Sequence, residues 1–261
     1  MSEEAGTTSR VDELLAASVQ AEARGDFASA VRTAKEAADL APDNWRASMM
    51  LGLALVKKGD ALAGVEACNA ACKKALNDND GHYAPMLALG IAYAKAGRLD
   101  LGKKSMQMAL EQATPGAEKA DVLTNLGTAQ DEAGEQTEAE ASFRQAATEN
   151  PDAIEPRAKL FMLLVKQQQI DKAVAAGGDV ASIVQRRPTT PIEKVMVGDV
   201  LRLLGTIKED AQKLDELRAK QAAARARPPG PGKRLRQRVL LWTYRSSLGQ
   251  RFAFIRPFLD G

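Results

Sequence analysis

Histidine and cysteine are nearly missing from this chain. Its 261 residues include one histidine, His82, and two cysteines, Cys68 and Cys72. Two thiols and one distant imidazole cannot close a tetrahedral zinc site. The cysteines, four apart on a predicted helix, are expected to be small buried hydrophobes in a reducing compartment, and His82 a solvated side chain in the loop "NDNDGHYAP". No Ser/His/Asp order, metal-ligand cluster or phosphate-cradling glycine loop is present, so no enzyme activity and no cofactor are expected. Strand-length runs of β-branched residues are almost absent, which argues against a sheet. No stretch of 18 apolar residues occurs, so no helix is expected to span a bilayer. The start, "MSEEAGTTSR", lacks both an apolar core and an Arg-rich pattern, and the expected location is cytoplasmic, with a membrane periphery as the alternative. Aromatics are sparse too, and unevenly placed. Of eleven, five lie in residues 233–261, a segment of charge +6 that leaves the rest of the +2 chain at −4.

What is abundant is helix-forming: Ala, Leu, Glu, Lys, Arg and Gln lose little side-chain freedom in a helix. Glycines then divide the chain at regular intervals. Gly25, Gly59, Gly97, Gly134 and Gly205 each separate two helical patterns, and Gln168 stands in the same slot between Gly134 and Gly205. The successive spacings are 34, 38, 37, 34 and 37 residues. Seven residues before each lies a second series, Ser18, Gly52, Gly90, Gly127, Phe161 and Gly198, in which small residues let two helices approach closely. Ser9, Asp80, Thr114, Asp152 and Thr190 are predicted N-caps, with Pro115 and Pro191 at first helical positions. Thr190 with Glu193, and Thr206 with Glu209, fit capping boxes, and Pro42 and Pro151 fall where second helices should stop.

This pattern resembles the tetratricopeptide repeat, a helix–turn–helix unit of 34 residues. The third unit carries Leu89-Gly90, Tyr93, Gly97, Leu99, Gly102 and Ala109, and the fourth Leu126-Gly127, Gly134, Ala139, Phe143, Ala146 and Pro151. The first shows Gly25, Phe27, Ala30, Ala37 and Pro42; the sixth shows Val197-Gly198, Leu201, Gly205 and Ile207; the fifth departs at Phe161 and Gln168. The resemblance implies an all-α, right-handed α-solenoid of about six helix pairs. The expected organisation is a disordered stretch 1–8, units at about 11–44, 45–82, 83–119, 120–153, 154–190 and 191–227, a Pro/Gly hinge at 228–232, and a basic aromatic segment 233–261.

The resemblance also implies a concave, partner-binding groove on the first helix of each unit. Its expected lining is Leu15, Val19, Met49, Leu53, Val56, Lys57, Leu87, Ile91, Lys95, Asp121, Thr124, Asn125, Thr128, Asp131, Glu132, Ala158, Met162 and Lys166. Some of these apolar residues are equally compatible with packing between helices. The groove would be apolar in units one to three and polar and acidic in the fourth, suited to an amphipathic helix or peptide. The carboxylate clamp found in some relatives is not matched. Asn125 and Lys159 stand at clamp positions, but Leu87, Ile91 and Glu155 occupy the other three.

The last segment poses a separate question. Prolines 228, 229 and 231 with two glycines stop the preceding helix. Beyond them Leu241, Tyr244, Leu248, Phe252, Ile255 and Leu259 share one helical face, with Trp242, Phe258, Arg234, Arg238 and Arg245 around it. The leading expectation is an anchor on another protein of a larger assembly, since tethered aromatics and arginines have the composition of an interface hot spot. A helix on an anionic membrane surface and a cap on the chain's own solenoid are the alternatives, with nucleic acid a minor one. The sequence thus reads as a scaffold or adaptor with two binding surfaces and no small-molecule substrate.

Overall fold

Gly59 shows how the helices are turned. It follows α3 at φ 100°, in the left-handed region, and its N–H closes the helix by donating to Leu55 and Val56 carbonyls. The glycines expected to repeat this at 25, 97 and 134 have φ of 75°, 75° and 81°. Gln168, in the same slot, takes φ 60° as well, the one positive-φ residue other than glycine among the described residues. A side chain there is strained by roughly 1 kcal/mol. Gln168→Gly should therefore raise stability by up to ~1 kcal/mol, read as a shift in the denaturation midpoint. No gain would mean that the glutamine side chain offsets its backbone strain.

The computed structural model describes residues 2–77 and 83–226. These form eleven helices and no strands: α1 (Ser2–Ala23), α2 (Phe27–Leu40), α3 (Trp45–Lys58), α4 (Ala61–Asn77), α5 (Tyr83–Lys95), α6 (Leu99–Gln112), α7 (Ala117–Glu132), α8 (Gln136–Glu149), α9 (Glu155–Lys166), α10 (Ile170–Arg186) and α11 (Pro191–Ala226). The fold is an all-α solenoid of stacked helix pairs. The chain divides into two compact units, Met1–Lys159 and Leu160–Gly261. In the first, α1–α2, α3–α4, α5–α6 and α7–α8 pair as antiparallel neighbours, and α1, α3, α5 and α7 also touch in succession. The odd-numbered helices thereby form one layer. In the second unit α10 packs on α11.

From α3–α4 to α9–α10, each pair closes on a contact sixteen residues apart. A Cβ added at Gly90 would lie 2.7 Å from Met106 Cγ, and one at Gly127 would lie 2.8 Å from the Phe143 ring. At Gly52 it would collide with Cys68 Sγ and sit 3.0 Å from both Cys68 N and Gly64 O. The fifth pair inverts the arrangement. Phe161, expected as the misfit, is fully buried, and the residue sixteen further on is Gly177, whose added Cβ would lie 3.1 Å from the Phe161 ring. Knob and hole have exchanged helices, so the close packing survives.

Other expectations need correction. The stretch 1–8 was expected to be disordered, yet α1 begins at Ser2 and Ser9 lies inside it; the run Glu3, Glu4, Ala5 is made of strong helix formers. Before α7 the cap is Gly116, at φ 98°, while Thr114 donates its N–H (2.9 Å) and hydroxyl (2.8 Å) to Glu118. Asp152 lies in the turn before α9, donating its N–H to Asn150 Oδ1 at 3.3 Å. Asp80 lies outside the described residues. The Thr190 box does form: Thr190 N–H donates to Glu193 (2.8 Å) and Glu193 N–H to Thr190 Oγ1 (3.2 Å). Arg187 first, then these bonds, hold the Glu193 carboxyl at about 2, well below its usual value.

The largest departure is the sixth unit. No turn forms at Gly205, and α11 continues as a single helix of 36 residues. The Thr206 hydroxyl, expected to cap a new helix, donates back to Arg202 O at 3.2 Å. A Cβ added at Gly198 or Gly205 would meet no heavy atom within 4 Å beyond the local helix backbone, so neither serves a close helix approach. Arg202, Leu203 and Leu204 before Gly205 and Lys208 and Glu209 shortly after it are strong helix formers, and they carry the helix through that glycine at a penalty of about 1 kcal/mol.

Candidate partner-binding face

The odd-helix layer of the first unit carries the expected groove residues of α1, α3, α5 and α7, and burial sorts them. Val19 is 51% exposed. One turn earlier Leu15 is half-buried against Val11, Leu14, Ala37 and Ala47. Ser18 between them is fully buried and donates its hydroxyl to Ala30 O at 3.0 Å, fixing α1 on α2. On α3, Met49, Leu53 and Val56 are half-buried against Cys68, Cys72, Ala88, Leu89 and Ala92. Ile91 is half-buried on the next core cluster. Leu87 is a correction: at 5% exposure it belongs to that cluster, with Met106, Val122 and Leu126, and packs between helices instead of lining a groove. Ala158, 2% exposed, is withdrawn from the surface in the same way. Met162 and Lys166 fall in the second unit.

Charged side chains join neighbouring odd helices. Lys57 on α3 pairs with Glu22 on α1, and Lys95 on α5 with Glu132 on α7 at 2.8 Å. Both Lys57 and Lys95 were expected to face a partner. Glu22, which sequence reasoning missed, sits three residues before Gly25, near the place that Lys57, Lys95 and Glu132 hold two residues before their own turns. That recurrence was the available signal.

The polar end is built on α7. The Asn125 side-chain amide donates to Asp121 O (2.9 Å) and Asp121 Oδ1 (3.1 Å). Thr124 is buried, and the Thr128 hydroxyl donates to Thr124 O at 2.9 Å. Asp131 is half-buried at the end of the helix, where its carbonyl accepts the Gly134 N–H at 3.0 Å. Asp121 keeps an exposed surface, yet its carboxyl is raised above the usual range. Crowding by surrounding protein comes first among the causes and the Glu155 charge second, while the Asn125 bond works against them. Tyr83, also missed, is raised by burial and then by Asp121 and Glu118. Glu118, Asp121 and Glu155 thus create a shared negative field on this side.

Among the described residues the two cysteines are not activated. Burial pushes the Cys68 thiol up to about 12 and the Cys72 thiol to about 11, and both are free. Such thiols remain protonated and unreactive near neutrality. Among the described residues no three His, Cys, Asp or Glu side chains converge as a metal site, and no helix is long and apolar enough to cross a membrane. His82 and the expected C-terminal anchor, with Arg234, Arg238, Leu241, Trp242, Tyr244, Arg245, Leu248, Phe252, Ile255 and Phe258, lie outside the described residues.

The family model described as tetratricopeptide repeat matches residues 15–80 and 87–154. No curated protein sequence gives a match. Among solved structures, a thermophilic TPR protein of Thermus thermophilus, TTC0263, is similar over 73% of this chain and 98% of its own, at 21% identity and a TM-score of 0.59. Yeast Tom70 is similar at the same TM-score and 14% identity, over 83% of this chain and 44% of its own. Pseudomonas aeruginosa PilF follows at a TM-score of 0.55 and 15% identity, over 82% and 99%. At these identities the likeness concerns the fold.

Proposed function

The chain belongs to the tetratricopeptide repeat family, whose members generally act in protein–protein interaction, and from that premise we propose a non-enzymatic scaffold that binds a protein segment on its odd-helix face. The observation that carries this reading is the character of that face: an apolar rim at Leu15, Val19, Leu53, Val56 and Ile91, followed by the negative field at Asp121 and Glu155. An amphipathic helix or extended peptide fits it, with apolar side chains toward α1–α5 and a lysine or arginine toward α7. The C-terminal segment 233–261 is proposed as a second attachment point, to a protein of a larger assembly. The proposed setting of both attachments is the cytoplasm.

Helical peptides displayed as a library and selected on the intact protein test the face directly. Selected peptides should carry apolar residues on one side and a cation near one end. Val19→Glu with Ile91→Glu should weaken their binding at least ~30-fold, about 2 kcal/mol, with the helical circular dichroism unchanged. Unchanged binding by this folded variant would show that the peptides bind elsewhere.

A further inference from the structure

Helix α11 carries a seam that outlasts its partner. Val200, Ile207, Leu214 and Gln221 stand seven residues apart along it, and so do Leu203, Asp210 and Leu217. The two series interleave at three and four residues, the heptad spacing by which one helix packs lengthwise on another. Helix α10 takes the first half: Val200, Leu204 and Ile207 are buried, and Leu204 lies against Gly177. Counting antiparallel from that contact sets Ile170, the first residue of α10, opposite about residue 211. About fifteen residues of α11, roughly 22 Å, continue past it. From Lys208 to Ala222, the seam residues Asp210, Leu214, Leu217 and Gln221 are half-buried, and every other residue is exposed.

We infer that this overhang is a docking strip for an acidic amphipathic helix of a different protein. The strip continues the α10–α11 interface, so a helix laid on it extends packing that already exists. Its borders choose the sign of the partner. Lys213 and Lys220 flank the seam on one side and Arg218 on the other, all exposed, while Thr206 and Ala211 fill the remaining flanking positions. The acids Glu209, Asp215 and Glu216 fall behind the seam together with Lys208. Arg218 bridges back to Asp215 at 3.1 Å, an exposed pair of the kind that contributes little. Residues at these flanks meet across a helix pair and set partner choice. A second copy sets the cations against one another in either orientation, and segment 233–261, at +6, has the same sign. Glutamates on a foreign helix meet them instead. Asp210, its side chain 16% exposed and 3.8 Å from Lys213 Nζ, breaks the apolar line. A polar group on a seam fixes register, so the incoming helix presents a hydrogen-bond donor opposite it. The strip lies in the second unit and does not depend on the odd-helix reading of the first.

Two synthetic helices of three heptads, binding to the full-length chain, test this by fluorescence anisotropy. Both carry a leucine seam with a single asparagine, and they differ only in having glutamate or lysine at the flanking positions. The acidic helix should bind at least ~10-fold more tightly than the basic one, and the difference should shrink as salt is raised. Lys213→Glu with Lys220→Glu should reverse the preference. Leu214→Ala with Leu217→Ala keeps strong helix formers in α11 and should weaken the acidic helix at least ~30-fold. Helical circular dichroism should be unchanged in both variants. The inference is overturned if the acidic helix does not bind, or if either folded variant binds it as tightly as the parent chain does, since it then sits elsewhere. It is also overturned if light scattering gives a dimer's mass that the leucine variant abolishes, because the occupant is then a second copy.

Discussion

Phe161→Ala should destabilise the second unit by about 4 kcal/mol, the largest effect expected of any single truncation described here. The ring is fully buried and fills the space left by Gly177, against which Leu204 of α11 also rests. Removing it opens a cavity among three helices, none of which can close on the others without losing its remaining contacts. Gly177→Leu alone should cost about 2 kcal/mol by overpacking the same space. In the Phe161→Ala background the leucine should restore stability, giving a coupling of at least ~1 kcal/mol in a double-mutant cycle. Urea denaturation followed by circular dichroism measures all four corners. Strictly additive values would show that ring and glycine do not share one space.

Gly52→Val is expected to cost about 3 kcal/mol. The obstruction there is partly backbone: besides Cys68 Sγ, an added Cβ meets Cys68 N and Gly64 O at 3.0 Å. A side chain can rotate away, but these atoms belong to α4, so the helices must separate and strip Cys68 and Ala71 of their cover. Gly205→Ala supplies the contrast. A Cβ added there would meet nothing within 4 Å beyond the local helix backbone, and the position lies in a continuous helix, so alanine should stabilise by up to ~1 kcal/mol. Equal losses at the two positions would mean that Gly205 ends a helix after all.

The repeat was legible because two constraints recur with it. Gly59 and Gly97 are needed where the backbone turns left-handed, and Gly52, Gly90 and Gly127 where helices touch. Both requirements leave a residue type behind. Phe161 was harder to read, because packing constrains the sum of two facing side chains, and the compensating glycine lies on the other helix. Gly205 misled for a related reason: a glycine permits a turn but does not enforce one, and only a second helix with its own apolar face would have drawn the chain back. On the candidate face, Leu15 and Leu87 each stand ten residues before a turn glycine, Gly25 and Gly97, yet one is half-buried and the other is core. Sequence period places a residue on a side of its helix. How far the neighbouring helix overlaps that side depends on a distance the period does not encode.

The exchange of Phe161 and Gly177 bears on how parts of this chain could be recombined. Helices α3, α5 and α7 all present glycine to a partner that supplies bulk, so at this contact they are interchangeable. Helix α9 is not. Set opposite α8 it would press Phe161 onto Phe143, and α7 set opposite α10 would leave two glycines facing an empty space. The fifth pair is therefore a cassette: α9 and α10 can be transplanted together, duplicated together or lost together, but grafting either alone creates a clash at one junction or a hole at the other.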